Sequence, residues 1–200
     1  MINNKSLSYV CLLIYIIAGI YLSITNGITS DEYHQQLNWE VHQSAIISFF
    51  KSGSYDVLLN HGDRYQGVAF NIITQPFSIV FNKFVSNLND LTVYGGWLMA
   101  KHIAIFLTFV LSGIFFYLLS YKITNDLFFA FISTSLYLLY PYLFGHAQFN
   151  EKDIPFLSFW IINTYISLIV VEDLFHEKKI DNKKIFLLSF LTAFLIGIRT

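Results

Sequence analysis

The sequence alternates long apolar stretches with short polar segments, and the length of those stretches is its strongest structural signal. A helix needs about 20 mostly apolar residues to cross the hydrocarbon core of a bilayer. Five stretches meet or approach this length: 9–25, 97–120, 127–143, 155–171 and 185–198. The pattern therefore predicts an all-α fold, a polytopic transmembrane helical bundle with about five spans.

A sixth stretch, 68–85, is apolar at many positions but also holds Pro76 and Lys83. Charge placement decides whether this stretch crosses the membrane, because Lys and Arg favour the cytoplasmic side of short loops. The densest basic segment, 176–184, carries four lysines and faces the cytoplasm only if 68–85 does not cross. The sequence thus predicts an interfacial amphipathic helix at 68–85, within an extracytoplasmic segment at 26–96.

The start of this extracytoplasmic segment has the periodicity of a helix. Apolar residues at 33, 37, 41, 46 and 47 predict a helix over 31–51, and Gly53 predicts its end. The sequences Asn60-His61-Gly62 and Tyr94-Gly95-Gly96 are typical of turns.

Composition supports a membrane protein. Only 12% of residues are charged, against about 25% in soluble domains. The net charge of −1 predicts no nucleic-acid partner, and the single cysteine, Cys11, excludes an intramolecular disulfide. A signal peptide is the alternative for 9–25, but no small-residue cleavage motif follows it. We expect a multi-pass protein of the cell membrane.

The last apolar stretch is short for a span. Residues 185–198 make only about 21 Å of helix before the sequence ends. We therefore expect residues 1–200 to be the N-terminal part of a longer protein.

Two polar clusters fall on the predicted extracytoplasmic face. The first contains Asp31 and Glu32, and the second runs from His146 through Asn150 to Asp153. Ionisable residues beside membrane spans are costly, which makes them candidates for function. Capping is the alternative for both clusters. Thr29 and Glu32 have the spacing of a capping box, and Asp153 precedes Pro155 as an N-cap would.

Cations accompany these carboxylates on the same face: Lys101, His102, Lys152 and Arg199. Their alternative role is anchoring at the membrane interface. Together, carboxylates that accept a proton and cations that hold a phosphate suit a reaction on a phosphorylated lipid. A site for a divalent metal, held by His34 or His146 with Asp31 or Glu32, is an alternative that the sequence leaves open, although no ligand spacing indicates one.

Several motifs carry a family resemblance. They are Asp31-Glu32 after the first span, Lys101-His102 opening the second, Gly197-Ile198-Arg199 at the end, and the loop Gly145-His146-Ala147-Gln148-Phe149-Asn150-Glu151-Lys152-Asp153-Ile154-Pro155-Phe156. Together they resemble the N-terminal portion of the bacterial glycosyltransferase family 39 proteins, relatives of the protein O-mannosyltransferases and the lipid A aminoarabinose transferases. Two positions differ from the family pattern, since Lys101 stands where Arg is common and Glu151 where Pro is common.

The resemblance implies a GT-C fold and inverting transfer of a sugar from a polyprenyl-phosphate donor to a lipid, glycan or protein acceptor. It implies that transfer takes place on the extracytoplasmic face. Asp31 would be the general base, with Glu32 beside it, and Asp153 would be the acid of the second loop. The remaining motif residues would bind substrate, with the phosphate contacts among them: Lys101, His102, His146, Asn150, Lys152 and Arg199.

Two other classes of function stay open on the sequence alone. One is a non-catalytic membrane protein, either a transporter or a lipid-binding subunit. Transporters often contain broken helices or internal repeats, and the sequence predicts neither. The other is an inactive, truncated remnant of an enzyme.

Overall fold

The computed structural model describes residues 4–85, 93–176 and 181–199, and every regular element in these ranges is an α-helix. The helices are α1 (Asn4–Thr25), α2 (Glu32–Ser52), α3 (Asp56–Leu59), α4 (Ala69–Val85), α5 (Val93–Thr124), α6 (Leu127–Leu139), α7 (Pro141–His146), α8 (Asp153–Phe175) and α9 (Asn182–Ile198). The predicted all-α class is confirmed. Part of the lysine-rich segment 176–184, residues 177–180, lies outside the described ranges.

Helix α5 is the centre of the fold. It packs against α1, α4, α6 and α8, while α9 packs against α8 and α4. Four aromatic side chains from three helices form much of the buried core: Phe70, Phe106, Phe109 and Phe194. Gly19 of α1 lets the Phe106 ring lie against the backbone, because a Cβ there would fall 1.9 Å from the Phe106 Cζ atom.

Side-chain contacts between helix ends define how the helices run. His102, near the start of α5, bonds the Ser23 carbonyl at the end of α1, and Arg199 after α9 pairs with Asp153 at the start of α8. At the opposite end, Lys122 of α5 pairs with Glu172 of α8. Helices α5 and α8 are therefore parallel, and α1 and α9 run opposite to them. The predicted membrane crossings require these same relative directions of the helices.

Two helices, Gly95–Thr124 and Asp153–Phe175, are long and apolar enough to cross a membrane. Only 44% and 33% of their most apolar windows are buried inside the chain, whereas the core helix of a soluble protein is mostly buried. Shorter apolar helices lie at Val10–Thr25 and Leu127–Leu139. The large exposed apolar surface of these helices fits contact with lipid.

Helix α4 follows the predicted segment 68–85 and turns its polar side inward. Asn71, Thr74 and Ser78 are buried, while Val80 and Phe84 are exposed. Its two ends lie against other helices, since Gly67 approaches the Gly197 carbonyl and Asn82 approaches Gly96. Such a helix suits an apolar environment on its outer side.

The expected continuous helix over 127–143 is wrong. The helix stops at Leu139, Tyr140 is extended (ψ 117°), and α7 begins at Pro141. Proline lacks the N–H that a continuing helix needs, and it disfavours helical geometry in the residue before it. Tyr15 Oη donates a 2.8 Å hydrogen bond to the Leu138 carbonyl beside this break.

Other local predictions had mixed outcomes. The helix over 31–51 is confirmed as α2, and it ends at Gly53, whose φ of 73° is in the left-handed region that glycine tolerates. Turns surround Asn60. The turn predicted at 94–96 is wrong, because these residues belong to the first turns of α5.

Candidate functional site

A buried ion pair between Glu32 and His102 joins the start of α2 to α5. His102 Nε2 lies 2.6 Å from Glu32 Oε1, and Nδ1 lies 3.0 Å from the Ser23 carbonyl. Both partners accept hydrogen bonds, so both contacts form only if the ring is doubly protonated or Glu32 carries the proton. In either case one proton lies between His102 Nε2 and Glu32 Oε1, and both His102 nitrogens already have partners within the chain.

A second buried pair lies on the adjacent residue of α5. Lys101 Nζ is 2.6 Å from Glu151 Oε2, and the two side chains are only 9% and 4% exposed. Lys101 also donates to Gln36 Oε1 of α2 at 3.3 Å. Consecutive residues of one helix thus hold the two acidic clusters, Glu32 of the first and Glu151 of the second. The expected meeting of these clusters at one end of the bundle is what the structure has.

Asp31, the predicted general base, is exposed beside this buried layer. Its side chain accepts a 3.4 Å hydrogen bond from the neighbouring Ser30 Oγ. Only half of the predicted capping box forms. Glu32 accepts from the Thr29 N–H at 2.8 Å, but Glu32 is the first helical residue and Asp31 occupies the N-cap position. The carboxylate of Asp31 is therefore open to solvent.

The second cluster presents an exposed, mixed-charge surface. Arg199 Nη1 lies 2.6 Å from Asp153 Oδ1, and Asn150 Nδ2 donates to Asp153 Oδ2 at 3.2 Å. Capping of α8 by Asp153 is wrong: α8 begins at Asp153, and Asn150 Oδ1 accepts from the backbone N–H groups of Lys152 and Asp153. Pro155 lies in the first turn, as predicted.

Lys152 points toward the segment that connects α1 to α5. Its Nζ donates to Gln66 Oε1 at 2.6 Å, and Asn38 of α2 donates to the same oxygen at 3.0 Å. Within the described residues Lys152 has no carboxylate partner, so its positive charge is not neutralised by an acid. A lysine held by a neutral amide keeps two further N–H donors for an anion.

The structure does not assemble the metal site that stayed open on the sequence. His34 pairs with Asp63 at 2.7 Å, and His146 lies beside Asn150. Across the described ranges, no group of three or more His, Cys, Asp or Glu side chains could hold a metal ion. The residues predicted to act on substrate do converge at one end of the bundle, but in two layers. Glu32, Lys101 and His102 are buried, whereas Asp31, Asp153 and Arg199 are exposed.

Sequence reasoning did not select the partners that organise this end of the bundle. Glu151 binds Lys101, Gln148 Oε1 accepts from Ser23 Oγ at 2.7 Å, and Gln66 links Lys152 to α2. Glutamines carry no periodic or motif signal.

Comparison with known proteins identified no relative of this chain. No model of a protein family matches the chain, and no curated protein or solved structure matches it significantly. The motif resemblance and the roles that it implies therefore stay predictions.

Proposed function

We propose that the chain belongs to a multi-pass membrane glycosyltransferase that moves a sugar from a polyprenyl-phosphate donor to an acceptor on the extracytoplasmic face. The observation that carries the proposal is the cluster of half-buried Lys152 with the exposed Asp153 and Arg199, held at the same end of an apolar helical bundle as the exposed Asp31. Cations for a phosphate and a carboxylate for a proton thus occur together where an amphiphilic donor would reach them.

In the proposed reaction, the acceptor hydroxyl oxygen attacks the anomeric carbon of the donor sugar. The bond from that carbon to the phosphate oxygen breaks, and polyprenyl phosphate leaves with the bonding electrons. Asp31 takes the hydroxyl proton, which its exposed position allows. Lys152 and Arg199 stabilise the negative charge that develops on the phosphate. Asp153 holds the guanidinium of Arg199 in place.

Two residues that were predicted to contact the donor phosphate have a different role in this proposal. His102 and Lys101 are already committed to Glu32 and Glu151 inside the chain. In our proposal they act by fixing the two acidic clusters, and the donor phosphate is held by Lys152 and Arg199. Glu32 likewise orients the start of α2, which positions the adjacent Asp31.

The test is transfer of a radiolabelled sugar from polyprenyl-phosphoryl donors in membranes that contain the native protein. We expect Asp31→Asn to lower turnover by about 10²- to 10⁴-fold, the usual contribution of a general base. Asp56→Asn is the matched control, because Asp56 also lies in the extracytoplasmic segment and accepts a serine hydroxyl bond. Turnover near wild type in Asp31→Asn removes Asp31 from the mechanism.

One observation favours a transporter, namely the helix break at Tyr140, since broken helices are frequent in transporters. The surroundings of the break argue against a polar pathway there. Tyr15 binds the Leu138 carbonyl, and its ring lies 5.7 Å from that of Phe144. Flux of a sugar or lipid across proteoliposomes without transfer would establish the transporter. Donor binding with neither flux nor transfer would indicate a lipid-binding subunit or an inactive remnant.

A further inference from the structure

A row of three rings lies directly beside the exposed ionic cluster. The Tyr142 and His146 rings have their centroids 4.3 Å apart at 41°, and the His146 and Phe149 centroids are 5.4 Å apart at 39°. Tyr142 is 64% exposed, and the other two rings are half-buried. The rings form a shallow apolar platform on α7 and the turn that follows it.

Hydrogen bonds join this platform to the charged residues. Asn150 Nδ2 lies 3.1 Å from His146 Nδ1 and 3.2 Å from Asp153 Oδ2, and Asp153 in turn pairs with Arg199. These residues therefore form one continuous strip. It is aromatic at Tyr142, carries the amide of Asn150 in the middle and is ionic at Arg199. Because Nδ1 accepts the Asn150 hydrogen bond, the proton of a neutral His146 ring is on Nε2, where it can be donated to a ligand.

This order of groups matches a sugar attached to a phosphate. A sugar ring presents C–H groups on its faces and hydroxyls at its edge. Aromatic rings offer rigid apolar area to such a face, and a few placed polar groups fix the orientation of a ligand. An isoprenoid chain alone would need neither the amide nor the carboxylate. The strip thus provides both kinds of contact side by side.

We propose that Tyr142, supported by His146 and Phe149, forms the subsite for the sugar ring of the lipid-linked donor. The subsite extends from the phosphate contacts of Lys152 and Arg199, so this inference rests on the proposed function. Tyr142 packs on the ring face, while Asn150 and His146 bind hydroxyls at its edge.

The experiment compares two ligands that share one lipid. Binding of undecaprenyl phosphate and of undecaprenyl-phosphoryl mannose, glucose or 4-amino-arabinose is measured with the native protein in detergent. We expect Tyr142→Ala to weaken binding of the sugar-bearing ligand by about two- to tenfold, which is the range of aromatic contacts. Binding of undecaprenyl phosphate stays unchanged, and Tyr142→Phe binds both ligands like wild type.

Two further variants provide a second test of the subsite and a control. Phe149→Leu is expected to show the same selective loss. Tyr21→Ala is the control, because Tyr21 is 65% exposed near the corresponding end of α1 but has no ring contact in the described part of the chain. Equal weakening of both ligands by Tyr142→Ala would assign Tyr142 to the phosphate or lipid, and no weakening would make it a simple interfacial anchor. Either result overturns the subsite. If the wild-type protein binds neither ligand, the proposed function itself fails.

Discussion

Replacing Glu151 with glutamine removes the negative charge that faces Lys101 in the interior of the protein. The side chain of Lys101 is 9% exposed, so its ammonium group cannot turn to water without movement of α5 or of the 147–152 loop. Gln36 Oε1, at 3.3 Å, is then its remaining acceptor. The contact with Glu151 is an ion pair without hydrogen-bond geometry, so the lost contribution is mainly electrostatic.

The burial of both partners sets the magnitude. Breaking a buried ion pair by removing one partner typically costs about 3–5 kcal/mol, because the other charge stays buried and unpaired. For a chain of this length, about 1 kcal/mol shifts the unfolding midpoint by about 2–4 °C. We therefore expect Glu151→Gln and Lys101→Gln each to lower the midpoint by about 6–20 °C. The double variant Lys101→Met/Glu151→Leu should lose less than either single variant.

The assay is fluorescence-detected thermal unfolding of the purified protein in a single detergent. A matched control is Glu172→Gln, which breaks the pair with Lys122 at the other end of α5 and α8. That pair is 26% and 43% exposed, and surface pairs contribute about 0–1 kcal/mol. If Glu151→Gln costs no more than Glu172→Gln, the buried pair does not stabilise this end of the bundle.

Two further variants test the packing and the turns between helices. Gly19→Ala should destabilise by about 1–3 kcal/mol, because the new Cβ atom would meet the Phe106 ring at 1.9 Å and force it to move; a wild-type midpoint in the same thermal assay would contradict this packing. Asp126→Ala should cost about 1 kcal/mol, since Asp126 Oδ1 accepts from the N–H groups of Phe128 and Phe129 at the start of α6. Asp126→Asn keeps an acceptor oxygen and should lose less, and an equal loss would argue against capping.

The sequence predicted the helices because their signals are local. Apolar length located the helices around 97–120 and 155–171, although both helices extend a few residues further at each end. Helix α2 ends at Gly53 as expected, since the left-handed backbone conformation has little energetic cost for glycine. The break at Tyr140 was also local, and Pro141 was its visible signal. The missing N–H of proline outweighs the apolar character of the segment there.

The candidate site was only partly predictable, because its geometry depends on contacts between distant segments. The motifs identified Asp31, Lys152 and Asp153, and the structure brings their clusters to one end of the bundle. Sequence could not separate the buried layer from the exposed one. Lys101 was expected near a phosphate, whereas its 2.6 Å partner Glu151 lies fifty positions away in the chain. Nothing periodic connects such a pair, and only tertiary packing reveals it.

The proposed reaction requires that the end of the bundle bearing Asp31 and Asp153 faces away from the cytoplasm. Sidedness can be measured with single cysteines in a Cys11→Ser background, labelled in intact cells by a membrane-impermeant maleimide. Ser30→Cys reports the end that bears the candidate site, and Asn182→Cys reports the opposite end; both positions are exposed. We expect Ser30→Cys to be labelled in intact cells and Asn182→Cys only after permeabilisation. Labelling of Asn182→Cys from outside, with Ser30→Cys protected, would contradict the proposed membrane orientation and the reaction built on it.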